Sequence, residues 1–273
     1  MRNDAQDELY ATEQLNAPSQ TRQWRVASAS VRGTSHEKVG QLCQDAHHWE
    51  KLPTGVLVAA VADGAGSAAL GKVGAIVAAQ TAVETLCAEG SRLHLIDDDR
   101  EWQRLLTQAL TAAKAAVEAE AAVCNRQARE LATTLILAVA TPELVAAVQV
   151  GDGLAVASDR DGQIFALTAS QKGEYINETT FLVSPQALDT IQVNVWRGTT
   201  TNIAVFSDGL QMLAVNMGDG SPYKPFFSPL FQFMAGVEDE QEAKEQLAAF
   251  LRSPRITERT DDDLTLLLAT LVS

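Results

Sequence analysis

The chain has 273 residues, of which 46% are hydrophobic, enough to bury a substantial core without covalent staples. Its formal charge of −14 argues against a general basic surface for nucleic acid or anionic membrane, and suits a protein that gathers carboxylates around cations. The three cysteines, Cys43, Cys87 and Cys124, are odd in number and widely spaced, which indicates neither a disulfide framework nor a thiolate zinc site and fits a reducing cytoplasm.

Residues 1–23 are polar, carry Asp4, Asp7 and Glu8, and lack the basic start and apolar centre of a signal peptide; a flexible tail is expected there. No apolar run reaches the roughly 20 residues that a membrane-spanning helix needs. Residues 24–273 contain no internal repeat, Gly/Ser linker or composition shift and read as one domain.

In chain order, residues 24–31 read as a first strand, followed by a loop through Gly33, His36 and Gly40 into Cys43-Gln44-Asp45-Ala46. The adjacent His47 and His48 diverge on any regular backbone. Cys43 and His47 at i,i+4 would share a helix face, but no nearby Cys or His completes a zinc site. The apolar run 56–62 reads as a strand buried on both faces, and the first polar side chain beyond it is Asp63, followed by Gly64-Ala65-Gly66. Taken alone, that Asp-Gly pair is a turn. A carboxylate at the end of a rigid strand is also well placed to serve as a metal ligand or catalytic acid.

Residues 67–88 are rich in Ala and Val and read as a helix, with Ser67 as N-cap and Gly90 as stop. A second helix is expected from Asp97-Asp98-Asp99 to about Cys124, its first acids serving the helix dipole rather than a metal. Short β-like segments at 133–140, 144–150, 154–158 and 163–167 have links too short for parallel returns and read as a β-meander. Residues 169–188 break this regularity and read as a long surface excursion. Strands resume at 191–196 and 202–207, the latter ending in Asp208-Gly209. A short helix over 210–215, a proline-bearing loop over 221–229, a helix over 238–251 and a closing strand over 264–271 complete the chain.

Asp63, Asp208 and Asp262 each lie at or near the end of a largely apolar strand, and Asp45 and Asp152 lie at other strand-loop junctions. Carboxylates gathered at one end of a sheet repel one another unless something positive holds them. By contrast, Asp161-Gly162 in a hairpin and Asp219-Gly220 in a polar loop follow no buried run and read as ordinary turns. Oxygen ligands without a full set of thiols or imidazoles select hard cations, Mg²⁺ or Mn²⁺, over zinc. Two such ions sharing Asp63 would lower the pKa of a bridging water and direct it at phosphorus; an acidic but metal-free fold is the alternative.

Asp63-Gly64-Ala65-Gly66 before a small-residue helix, Ala132-Thr133-Thr134, Val150-Gly151-Asp152-Gly153, Phe206-Ser207-Asp208-Gly209-Leu210 and Thr260-Asp261-Asp262-Asp263-Leu264-Thr265 occur in this order, with Gln44-Asp45 before them. From about residue 24 onward this pattern resembles the metal-dependent protein phosphatases of type 2C, and the stretch 174–179 resembles their bacterial branch. The resemblance implies an α+β fold, a β-sandwich of two antiparallel sheets flanked by helices in four αββα layers. It implies a dinuclear Mg²⁺ or Mn²⁺ site. Asp63 would bridge the ions, the Gly64 carbonyl would bind one, Asp208 and Asp262 would complete the other, and Asp45 would act through bound waters. Asp152 would help hold a weaker third ion. The implied activity is dephosphorylation of phosphoserine and phosphothreonine in proteins, with a cognate protein kinase as a further partner.

Three residues depart from the family pattern. Gln44 replaces the usual acid before Asp45, and Asp263 replaces the usual Asn after the last ligand. Ala65 stands where many eukaryotic members carry a histidine proposed to protonate the leaving alkoxide, so a metal-bound water or another acid must take that task. The family's phosphate-gripping arginine falls on Gly40 counting back from Asp45 and on His36 counting forward from Gly33, with Arg32 nearby. Arg32 and His36 are the phosphate-binding candidates. These departures leave a second reading beside the enzyme, a non-catalytic scaffold that binds phosphoproteins.

Overall fold

A computed structural model describes residues 22–169, 179–189, 191 and 193–272, so most of the expected tail and the centre of the 169–188 excursion lie outside the described residues. Two five-stranded sheets form the frame. One is ordered β1 (Gln23–Val31), β10 (Leu264–Val272), β9 (Thr200–Phe206), β6 (Leu154–Asp159) and β7 (Ile164–Ala166). The other is ordered β2 (Ala46–Lys51), β3 (Leu57–Ala62), β4 (Leu135–Ala140), β5 (Leu144–Val150) and β8 (Asn194–Arg197). All the paired strands run antiparallel.

The continuous apolar runs follow from burial on both faces, because alternate side chains enter different cores. In β3, Leu57, Ala59 and Val61 join Trp24, Ile136, Val205 and Leu267 between the sheets. Val58 and Ala60 face the other way, towards α2 (Gly71–Cys87) and α3 (Asp99–Val123), which contribute Ala78, Ala82, Trp102 and Leu106. On the far side, Ala204, Leu266 and Leu268 meet Phe227, Phe231 and Leu247 of α5 (Lys224–Gly236) and α6 (Glu240–Leu251). The result is the expected α+β sandwich in four αββα layers.

Several elements differ from their sequence-based expectation. Residues 34–39 form a short helix, α1 (Thr34–Val39), rather than a loop. Helix α2 starts at Gly71, not Ser67, and Gly90 opens a 3₁₀ turn rather than only ending the helix. The expected strand over 133–140 begins at Leu135, because Thr133 and Thr134 are engaged with Asp63. Residues 224–229, expected as part of a loop over 221–229, instead begin the helix of residues 224–236; Pro225 sits in the first turn, where a missing N–H costs little, and Pro229 lies inside the helix. The first β8 residue is Asn194, a later start than 191. Beyond these, a short helix α4 (Gln211–Ala214) matches the expected one, and α7 (Pro254–Thr257) precedes β10.

The meander is the most informative difference. Strands β4 and β5 pair, and β6 and β7 pair, but β5 and β6 belong to different sheets. Gly151-Asp152-Gly153 carries the chain across the sandwich, a step of about 10 Å that needs no pairing. Gly151 has φ of 108°, and a methyl there would lie 2.5 Å from the Thr134 side chain. At Gly153 the added methyl would lie 2.6 Å from the Phe206 carbonyl oxygen.

Candidate metal centre

The antiparallel registers bring the C-terminal ends of β3, β5 and β9 to the same end of the sandwich as the starts of β2, β4, β6 and β10. Asp45, Asp63, Asp152, Asp208 and Asp262 are therefore at one end, drawn from both sheets. Around Asp63 the backbone is held tightly. Its carbonyl accepts from the Thr134 N–H (2.8 Å) and the Thr133 hydroxyl (2.9 Å), while its N–H donates to Thr134 Oγ1 (3.0 Å). The Ala132-Thr133-Thr134 motif thus works as a clasp on the bridging candidate. Gly64 has no room for a side chain, because a methyl there would lie 2.4 Å from the Gly71 carbonyl carbon.

Asp45 is 3% exposed, and its Oδ2 accepts from the Ser207 hydroxyl at 2.7 Å. Ser207 Oγ also accepts from the Thr265 N–H (2.9 Å), so one hydroxyl joins β10 to the start of β2 across the sandwich. Among the described residues, Asp45 Oδ1 and Asp208 Oδ1 are buried without a hydrogen-bond partner. Asp262 Oδ1 accepts from the Asp263 N–H (2.8 Å). Asp152 Oδ2 accepts from the Thr179 hydroxyl (2.7 Å), and its carbonyl accepts from Gln211 Nε2.

Burial and mutual repulsion favour the neutral forms of these acids. Burial lifts Asp45 to about 7 against the opposing Ser207 hydrogen bond. Asp63 is raised well above the ordinary carboxylate range by burial, then by the Asp45 and Asp208 charges. Asp208 rises to about 6 through burial, then Asp152 and Asp262. Asp262 is also raised by burial.

Among the described residues, no three His, Cys, Asp or Glu side chains converge on one point as ready-made ligands. The acids instead adjoin in a chain, Asp45 to Asp63 to Asp208, with Asp152 and Asp262 beside Asp208. Two orphaned carboxylate oxygens in an all-oxygen donor set fit a hard cation, which supplies the missing positive charge. The turn acids behave differently. Asp219 Oδ1 accepts from the Ser221 N–H and hydroxyl, which lowers that carboxylate, as an ordinary turn requires. Asp98 caps α3 by accepting from the Arg100 N–H.

The two phosphate-binding candidates part company. The Arg32 guanidinium donates to the Gln41 carbonyl (3.3 Å) and faces Glu37 (3.6 Å), rather than any of the five acids. His36 Nδ1 lies 2.9 Å from Asp263 Oδ2, in the segment that carries Asp262. Cys43 and His47 share no helix face, since β2 starts between them. His47 Nδ1 instead meets the Ser30 hydroxyl (2.9 Å), and burial, then Lys244, lowers that imidazole to about 4.

Sequence reasoning did not assign the supporting residues. Gln44 Oε1 accepts from the Lys72 N–H (3.0 Å), capping α2 from another segment, while Gln44 Nε2 donates to the Leu42 carbonyl (2.8 Å). An amide meets both demands; a carboxylate would set an oxygen against the Leu42 carbonyl. The signal for such a cap is the absence of a polar residue at the helix's own N-cap, Leu70.

The family profile for protein phosphatase 2C matches residues 32–252. The chain belongs to the protein phosphatase 2C family. Within that family it is 36% identical over 254 residues to serine/threonine-protein phosphatase 3 of Escherichia coli, covering 90% of this chain and 98% of that protein. Two solved structures share the fold at low identity. Stp1 of Staphylococcus aureus, a serine/threonine phosphatase, gives a TM-score of 0.60 at 15% identity over 91% of this chain and 95% of that one. RsbX in complex with magnesium gives 0.52 at 14% identity over 93% and 98%. The 2C phosphatase fold thus accounts for the two sheets.

Proposed function

We propose that this 2C family member, a serine/threonine protein phosphatase, depends on Mg²⁺ or Mn²⁺ held by its strand-end acids. Asp63 would be the shared carboxylate, the Gly64 carbonyl would serve one ion, and Asp208 and Asp262 would serve the other. Asp45 acts through water, and Asp152 holds a weaker third ion. The observation that carries this reading is the pair of buried oxygens on Asp45 and Asp208, partnerless among the described residues, within a chain of mutually repelling acids.

Bound ions would supply Lewis acidity towards an attacking water and the phosphoryl oxygens. The chain's own residues do the rest. The Thr133 and Thr134 clasp fixes the Asp63 backbone, Ser207 orients Asp45, and His36 stands beside the acids as the phosphate-facing candidate. Substrates are phosphoserine and phosphothreonine proteins, supplied by a cognate protein kinase in a reducing cytoplasm. Among the described residues no helix is long and apolar enough to cross a membrane.

Gln44 weighed towards a non-catalytic scaffold, but its amide has a structural task in capping α2. The test is phosphate release from a phosphothreonine peptide by chelator-treated protein as Mn²⁺ is added. The expected result is saturable activation in the wild type and at least about a hundredfold loss in Asp208→Asn. Metal-independent turnover, or an Asp208→Asn variant as fast as wild type, would sink the proposal.

A further inference from the structure

Asp263 is not among the metal-ligand candidates, yet it is only 2% exposed and collects three donors. Its Oδ1 accepts from the Gly33 N–H (2.7 Å), and its Oδ2 accepts from the Gln44 N–H (2.5 Å) and meets His36 Nδ1 (2.9 Å). A carboxylate can accept from all of them. An asparagine would turn its NH₂ towards a donor, which gives a physical reason for acid at this position. Helix α1, which carries His36, is pinned to the same segment, because the Ser35 N–H and hydroxyl both donate to the Asp261 carbonyl (2.9 and 2.6 Å).

The His36 ring is therefore held at Nδ1, and its other nitrogen has a defined direction. A methyl added at Gly66 would lie 3.8 Å from Nε2, so this nitrogen faces the turn that follows Asp63. Among the described residues, no protein group hydrogen-bonds Nε2.

We propose that Asp263 is a positioning residue for substrate: by holding His36 at Nδ1, it presents Nε2 to a phosphoryl oxygen beside the Asp63 turn. The inference rests on the phosphatase reading and adds to it the residue that acts through His36. With phosphate bound, the Nδ1 side of the ring stays on Asp263 while Nε2 shares a hydrogen bond with the phosphoryl group. Arg32 is engaged by Gln41 and Glu37, so the imidazole takes the phosphate-facing position.

The experiment combines kinetics with nitrogen spectra of histidine-labelled protein in Mg²⁺, titrated with inorganic phosphate. The His36 signals are identified by their loss in His36→Gln. Phosphate should shift the Nε2 resonance in the wild type, with Nδ1 carrying a proton before and after, and Asp263→Asn should abolish that shift. In parallel, His36→Ala and Asp263→Asn should each raise KM for p-nitrophenyl phosphate about ten- to hundredfold while kcat falls less. A merely structural Asp263 predicts a lower melting temperature for Asp263→Asn with its phosphate-induced Nε2 shift retained, which would overturn the positioning role. Resonances indifferent to phosphate, or a His36→Ala KM within about twofold of wild type, overturn the proposal. Wild-type protein with no Mn²⁺-dependent phosphate release would instead defeat the phosphatase reading itself, and the phosphate titration still decides the role of His36.

Discussion

Asp45 and Asp208 have raised proton affinities in the folded chain, so folded protein without divalent ions binds more protons than unfolded protein as pH rises from about 4. Their contribution to stability is largest below the ordinary carboxylate value and is lost as pH climbs through about 6 for Asp208 and about 7 for Asp45. Chelator-treated protein should therefore lose thermal stability across that window, and Mg²⁺ should flatten the slope by replacing the proton with a cation. A flat profile without metal would contradict the assigned burial. At Gln44, Gln44→Ala should lower stability by about 1 kcal/mol through loss of the cap on α2, and Gln44→Glu should not restore it. Denaturant unfolding of both variants reads the difference.

At the scale of elements, the links between strands place the chemistry. Gly151→Ala should cost about 2 kcal/mol or more, because φ of 108° and the Thr134 contact both reject a side chain, and it should slow turnover by shifting Asp152. Chemical denaturation with steady-state kinetics checks both effects; a neutral variant would mean that the crossing between sheets is loosely held. This link also shows where sequence reading stopped. Short β-like runs and short links marked β5 and β6 correctly, but strand pairing is a tertiary fact, and a three-residue link suits a hairpin or a step between sheets equally. The late start of α2 has a similar cause. Ser67 is locally a good cap, but the chain there is bound to the site by the Leu70 N–H to Glu130 carbonyl and Ala65 N–H to Ala132 carbonyl bonds.

For the whole molecule, two sheets must present their acids at one end, and Ser207 joins them there. Ser207→Ala would strip Asp45 Oδ2 of its donor and the Thr265 N–H of its acceptor, at a cost of about 1–3 kcal/mol, measured as a lower unfolding midpoint. The acids themselves were legible because each lies at the junction of a loop with a largely apolar strand, whereas Asp219 lies in a polar loop, and the structure gives it turn hydrogen bonds. Asp263 was harder to read. It follows Asp262 in a run of three acids, and only the fold shows that it turns inward to Gly33, His36 and Gln44. Family membership explains why the motifs recur in order, while the hydrogen bonds explain why these side chains sit in them.

The most direct test of the dinuclear assignment is a calorimetric titration of Mn²⁺ into chelator-treated protein, comparing wild type with Asp63→Asn and Asp208→Asn. Saturable binding of two strong ions per chain is predicted for wild type, with both weakened in Asp63→Asn because both ions are proposed to share that carboxylate, and one weakened in Asp208→Asn. Wild-type protein that takes up no Mn²⁺, or Asp63→Asn that binds like wild type, would contradict the account.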